Sequence, residues 1–165
     1  MGRVRSLLGS AVFLVVAPGV VAGLVPWWLT RWTPGPPLLG LAASRWLGAV
    51  LVAPALLVLL DSFVRFALEG RGTPAPVAPP ETLVVGGAYR FVRNPMYVAV
   101  TTLILGQGLL LGRPALLAYG AAVWLAMHLF VLLYEEPRLR ADHPGYEAYV
   151  RHVPRWLPRL KPWRP

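Results

Sequence analysis

Two short clusters hold most of the residues able to do chemistry. One is Gly87–Tyr97 (GAYRFVRNPMY), with Tyr89, Arg90, Arg93, Asn94 and Tyr97; the other is Tyr134–Pro137 (YEEP), with Glu135 and Glu136. Arginine forks bind carboxylates bidentately, carboxylates hold cationic groups, and tyrosine faces attract onium ions. Such a set suits a ligand that bears both signs of charge. Each cluster also has a plain structural reading. Asn94 is a good N-cap, and Pro95 suits the first turn of a helix, where no N–H is needed. Glu135 and Glu136 follow an apolar run that ends at Tyr134, where a helix dipole disfavours negative charge. A structural role for them needs partners, which Arg138 or Arg140 can supply; a functional role needs a cationic ligand.

Other chemistries are excluded or weaker. The chain has no cysteine, hence no thiolate nucleophile, thiolate metal site or disulfide. His128, His143 and His152 lack metal-ligand spacing, so no metal is expected. No glycine-rich phosphate loop follows a strand, and there is no serine elbow. Asp61 and Arg65 stand at i,i+4 with the acid first, a favourable helical pair, and contact with a substrate headgroup is their alternative role. His128, about two turns inside the last apolar run from Glu135, reads as a packed histidine, with lining of an acceptor site as the alternative. Gly106-Gln107-Gly108 reads as close helix packing. Glu147 reads as a solvating residue of the tail, and Arg151, His152, Arg155 and Arg159 as headgroup contacts.

The elements that must position these residues follow from composition. Of 165 residues, 56% are hydrophobic and 14% charged, and the mean hydropathy is +0.56; ordinary globular chains carry roughly 25% charge. The pattern predicts an all-α integral membrane protein, a single membrane domain over 1–165 with about four transmembrane helices at about 6–29, 46–68, 95–112 and 114–134. Arg113-Pro114 leaves room only for a tight turn, so the last two spans form a helical hairpin and bring Asn94–Tyr97 and Tyr134–Glu136 to the same end. A signal-peptide reading of the first run competes, with Arg3 and Arg5 ahead of it and Ala22-Gly23 inside. The run continues to the interfacial pair Trp27-Trp28, which favours retention as a span.

A net charge of +9 would suggest nucleic acid in a soluble protein, but here the basic residues track the span ends. With the N-terminus inside, thirteen basic residues fall on the cytoplasmic side and only Arg31, Arg45 and Arg113 outside, a positive-inside bias. Both termini are therefore expected in the cytoplasm, most simply at the inner membrane of a cell. The loop 69–94 contains a proline-rich stretch, Gly70–Pro80, expected to be extended. The tail 135–165 resumes helical character to His152, broken at Pro144-Gly145, and forms a cytoplasmic cap.

GAYRFVRNPMYVAV, followed by LLYEEPRLRADHPGYEAYVRHVPRWLP, resembles the integral-membrane methyltransferases. That group includes isoprenylcysteine carboxyl methyltransferase and phosphatidylethanolamine N-methyltransferase. The resemblance covers about residues 66–159. It implies a small helical bundle that binds S-adenosylmethionine at the cytoplasmic ends of its last two spans and takes a lipophilic acceptor sideways from the bilayer. Arg93, Pro95 and Tyr97 match the group's Arg-His-Pro-x-Tyr motif, Glu135 and Glu136 its Glu-Glu pair, and Tyr146 and Tyr149 the aromatics of a tail that caps the cofactor. By the same resemblance Tyr89, Arg90 and Asn94 join the cofactor set, and Arg93, Asn94 and Glu135 are the candidate catalytic residues. Asn94 stands where the carboxyl methyltransferases have histidine, so a titrating base is absent there. Asn-Pro-Met-Tyr with Leu-Tyr-Glu-Glu-Pro is similar to the phospholipid N-methyltransferase branch. An NADPH-dependent, steroid-reductase-like membrane protein and a non-enzymatic protein that keeps the fold stay open as alternatives. The acceptor, the atom methylated (N, O or S) and the oligomeric state are not legible in these residues.

Overall fold

In hydrocarbon each backbone N–H and C=O must find a partner within the protein, and a helix supplies them locally. The computed structural model describes residues 11–69 and 82–164, all of them helix, turn or irregular. The proline-rich stretch expected to be extended, together with Arg3, Arg5 and Arg71, lies outside the described residues. The helices are α1 (Ala11–Thr30), α2 (Ala43–Leu68), α3 (Pro95–Leu111), α4 (Pro114–Asp142) and α5 (Tyr146–His152). The first, second and fourth are long and apolar enough to cross a membrane. The third is apolar but has 17 residues, about 25 Å at 1.5 Å per residue against a hydrocarbon core of about 30 Å.

α4 corrects one expectation. It does not stop at Tyr134 but passes through a π turn, Val131–Glu135, and continues to Asp142. Glu135 and Glu136 therefore lie inside a helix, and the argument from an unfavourable C-terminal dipole lapses. The wide turn also admits Pro137, whose ring would crowd the carbonyl four residues back in a regular helix. The same device occurs in α1, where the π turn Val20–Leu24 precedes Pro26.

Pro26 has no N–H to offer the preceding turn, and the carbonyls of Val21 and Ala22 take donors from other helices instead. Tyr119 Oη of α4 donates to Val21 O at 2.9 Å, and Gln107 Nε2 of α3 donates to Ala22 O at 2.8 Å. Gln107 Oε1 in turn accepts from Trp32 Nε1 at 3.1 Å. Gln107 is thus the tie between α1 and α3, beyond the close packing read from its glycine neighbours. Gln107→Leu should destabilise the protein in detergent by about 1–2 kcal/mol if the orphaned carbonyl finds no substitute, read as a lowered melting temperature, and an unchanged melt would remove this assignment.

The flanking glycines pack as their spacing suggests. A Cβ on Gly106 would lie 2.8 Å from Val52 Cγ2, and one on Gly48 would lie 2.6 Å from Gly106 O, so α2 and α3 approach backbone to backbone. These two helices share the most extensive contact in the fold. The hairpin between α3 and α4 closes at Gly112, which takes φ +62° and lets Arg113 N donate back to Gly108 O at 2.9 Å, the usual glycine helix ending.

Candidate functional site

The turn Gly87–Arg90, the first turn of α3 and the middle of α4 meet at one end of the hairpin, and the tail beyond α5 binds them together. The tail runs back along residues 90–94. Arg93 N donates to Pro154 O at 2.9 Å, Arg159 N to Phe91 O at 3.0 Å and Trp163 N to Arg90 O at 2.9 Å. Arg90 Nε returns a bond to Trp163 O at 2.7 Å. Asn94 occupies the N-cap position of α3 but makes no side-chain cap bond; its Nδ2 donates to Arg155 O at 3.2 Å. The capping expected of Asn94 is replaced by tethering of the tail, while Pro95 takes the first helical position as expected.

The two glutamates separate in role. Glu136 is 2% exposed and receives Arg155 bidentately, Nε to Oε1 at 2.6 Å and Nη2 to Oε2 at 2.9 Å. Arg93 Nη1 lies 3.2 Å from Oε1 and Arg140 Nη2 lies 3.7 Å from Oε2. Of the partners expected from sequence, Arg140 takes part; Arg138 instead turns to Tyr134 Oη at 2.7 Å and Asp142 at 3.4 Å. Arg155 is no headgroup contact: its hydrogen bond to Glu136 holds the guanidinium charged more firmly than an ordinary arginine. Glu135, one residue earlier, points elsewhere and accepts from Tyr97 Oη at 2.9 Å.

Arg93 is the unsatisfied member. Its side chain is 8% exposed, and neither Nε nor Nη1 makes a well-aligned hydrogen bond among the described residues. Buried donors without partners are uncommon and point to a missing acceptor.

Aromatic groups of the tail close the cluster from the polar side. Tyr146 and Tyr149 are buried with Val153, and Trp163 packs against them. Tyr149 Oη donates to Tyr89 O at 2.6 Å, and burial pushes the Tyr146, Tyr149 and Tyr89 hydroxyls up from the usual tyrosine range. Tyr89 is itself buried against Phe66, with ring centroids 5.8 Å apart.

The substrate candidates stand apart from this core. Arg65 Nε reaches both Asp61 oxygens at 3.1 Å and Nη1 reaches Glu69 at 2.7 Å, while Glu69 Oε2 accepts from Gly86 N at 3.2 Å. That ladder fastens α2 to the turn carrying Tyr89, in line with the structural reading of the Asp61–Arg65 pair. His128 Nδ1 accepts from Trp156 Nε1 at 3.0 Å and stacks on Trp124 at 5.0 Å, a packed histidine that pins the tail to α4. Glu147 pairs with Arg140 at 2.8 Å. Sequence reasoning missed Arg155 as a partner of Glu136, since Arg138 and Arg140 stood close by in the sequence as sufficient partners.

The model of the phospholipid methyltransferase family matches residues 43–143, which takes in α2, α3, α4 and both clusters but not Tyr146, Tyr149 or Arg155. The chain is similar to the cobalt-zinc-cadmium resistance protein CzcN of Cupriavidus metallidurans, with 34% identity over 124 residues, covering 73% of this chain and 57% of that protein. It is also similar to the nickel-cobalt-cadmium resistance protein NccN of Alcaligenes xylosoxydans xylosoxydans, with 32% identity over 82 residues, covering 50% of this chain and 38% of that protein. The chain thus spans about half the length of these curated relatives. No solved structure matches it.

Proposed function

Because the chain belongs to the phospholipid methyltransferase family, we propose that it transfers a methyl group from S-adenosylmethionine to a lipophilic acceptor resident in the membrane. The observation that carries this reading is the meeting of both signs of charge at one end of the hairpin: Arg93, which pairs with Glu136 but whose Nε and Nη1 make no well-aligned hydrogen bond, and a Glu135 carboxylate whose only side-chain bond among the described residues is to Tyr97. That set fits a molecule with a carboxylate, an ammonium and a sulfonium. Arg93 would hold the carboxylate, Glu135 the cationic groups, and Tyr97 would offer its ring face. S-Adenosylmethionine supplies an electrophilic methyl group, whose bond to sulfur breaks as the acceptor's lone pair forms the new one, the sulfur keeping its electron pair.

The protein's own part is alignment and dryness. Pro95 fixes the first turn of α3 and so the position of Tyr97. Asn94 and Arg90 hold the tail, and Tyr89, Tyr146 and Tyr149 exclude water from the polar side. Effective molarity from alignment and removal of water together supply much of the acceleration such a displacement needs. Glu136 acts through Arg93 and the tail and is a positioning residue.

In a thermal-shift comparison on detergent-purified protein, S-adenosylhomocysteine should stabilise and NADPH should not; the reverse result would establish the reductase alternative. Labelled methyl from S-adenosylmethionine should enter a host membrane-lipid extract, and identification of the product names the acceptor atom. The cofactor is made in the cytosol, so the site must face it, with both termini on that side of the inner membrane. Reporter fusions after Lys161 should report inside, and fusions within residues 30–44 outside. A C-terminal reporter on the outer side would remove the cofactor assignment as well.

A further inference from the structure

The tail that closes the site also descends along α4. Trp156 Nε1 donates to His128 Nδ1 at 3.0 Å, and its ring lies 6.1 Å from that of Trp124. His128 stands seven residues before Glu135, which places it about 10 Å further into the apolar run of α4 at 1.5 Å per residue. Around that level α4 exposes Leu125, Leu129 and Leu133, and the tail exposes Leu157 and Leu160, the last of them 98% exposed. Single exposed leucines are ordinary. These two, however, follow a tryptophan held against the flank of a helix long and apolar enough to cross a membrane. Tryptophan favours the headgroup level of a bilayer, and long cationic side chains reach from there to water.

The charge of the tail is one-sided. Beyond Glu147 the chain carries five basic residues and no acid. The structure redistributes the headgroup contacts expected from sequence, for Arg155 is turned to Glu136 and Arg159 Nη1 donates to His152 O at 2.7 Å. Arg151, Lys161 and Arg164 are exposed, and none of them pairs with an acid among the described residues. His152 stacks on Trp163 with centroids 5.9 Å apart, which keeps the end of α5, with Arg151, beside the segment that carries Lys161 and Arg164. Exposed leucines next to such cations match a bilayer surface of net negative charge, where each cation adds an attraction that fades within a Debye length. We propose that the tail docks on the leaflet at this end of the bundle by binding anionic phospholipids, with Leu157 and Leu160 in the acyl boundary and Arg151, Lys161 and Arg164 on the phosphates. The docked segment also gives Pro154 O to Arg93 N and Arg155 O to Asn94, so membrane charge strengthens closure of the site. Docking stands independently of methyl transfer; its effect on cofactor affinity rests on that reading.

The chain has no cysteine, so Leu160→Cys carries a single environment-sensitive fluorophore. The labelled full chain is placed in nanodiscs of phosphatidylcholine with or without phosphatidylglycerol, each containing a lipid with a nitroxide on its acyl chain. Quenching should be at least threefold stronger with phosphatidylglycerol and should fall to the phosphatidylcholine level in about 1 M salt, where screening reaches about 3 Å. The triple variant Arg151→Gln, Lys161→Gln, Arg164→Gln should lose the difference, while a label at Ala141→Cys, on the end of α4, should not respond to lipid charge. Equal quenching in both lipids, or a label open to water in both, overturns the proposal. S-Adenosylhomocysteine titrations of the unlabelled chain in the same nanodiscs should show at least threefold tighter binding with phosphatidylglycerol. No binding in either lipid with the quenching difference intact removes the methyl-transfer reading and leaves the docking, whereas equal binding in both lipids removes the coupling of docking to the site.

Discussion

Glu136→Gln should destabilise the protein by about 3–5 kcal/mol, the range for removing one partner of a buried ion pair, and that is a large share of the 5–15 kcal/mol typical of a fold. The reason is what remains behind. Arg93, with its side chain 8% exposed, already has guanidinium nitrogens without aligned partners, and the substitution leaves that cation in a dry site with no facing charge. Arg155 loses a bidentate acceptor at 2.6 and 2.9 Å, and the tail keeps its side-chain ties to α4 only through Trp156–His128 and Glu147–Arg140 among the described residues. Arg155→Met should also destabilise, but by less, because Arg93 and Arg140 still face Glu136. A thermal or urea melt of the two single variants and the double variant measures the coupling. Additive effects would show that the bidentate contact contributes nothing of its own.

The neighbouring substitution should behave in the opposite way. Glu135→Gln keeps a group that accepts from Tyr97 and strands no buried cation, so the melt of the unliganded protein should stay close to that of the parent. What it should lose is ligand response. A charge-assisted hydrogen bond contributes about 1.5–3 kcal/mol, which is roughly 10- to 150-fold in affinity at about 1.4 kcal/mol per tenfold. S-Adenosylhomocysteine titrations and labelled methyl transfer should fall together in Glu135→Gln, while Tyr97→Phe should reduce both with the fold intact. Affinities within threefold of the parent in Glu135→Gln would falsify the role of Glu135 toward the cofactor. The opposed outcomes for two adjacent glutamates are what distinguish the site described here from a motif treated as one unit.

That opposition was not legible in the sequence. Glu135 and Glu136 are chemically identical there, and only the helical rotation of about 100° between them, applied to a helix that continues past Tyr134, sends one to Tyr97 and the other to the arginines. The continuation itself was hidden by Pro137, which reads as a stop unless a π turn precedes it. The hairpin, in contrast, was forced by Arg113-Pro114 and the two uncharged runs beside it, and so was the meeting of Asn94–Tyr97 with Tyr134–Glu136. The packing of Gly106 was legible because small residues in apolar helices have few other uses. Gln107 was not, since its partner is a backbone carbonyl 85 residues away whose need arises from Pro26. Arg155 lies in a stretch with neither helical nor strand periodicity, and its neighbours gave no sign of the acid it meets.

The run of backbone bonds between residues 90–94 and 154–163 also dictates an order of assembly. A chain grows from its N-terminus, so α1 to α4 can enter the bilayer and pack before the last of these partners exists. Arg93 N, Phe91 O and Arg90 O must wait in water for a segment made after every span. A protein whose synthesis halts shortly after His152 would thus hold its place in the membrane with its helices formed, yet with Glu136 lacking Arg155, Asn94 lacking its acceptor and Tyr149 lacking the cover of Trp163. Packing of the helices and completion of the site are separate events in the life of this chain, and the second depends on residues outside the four apolar helices.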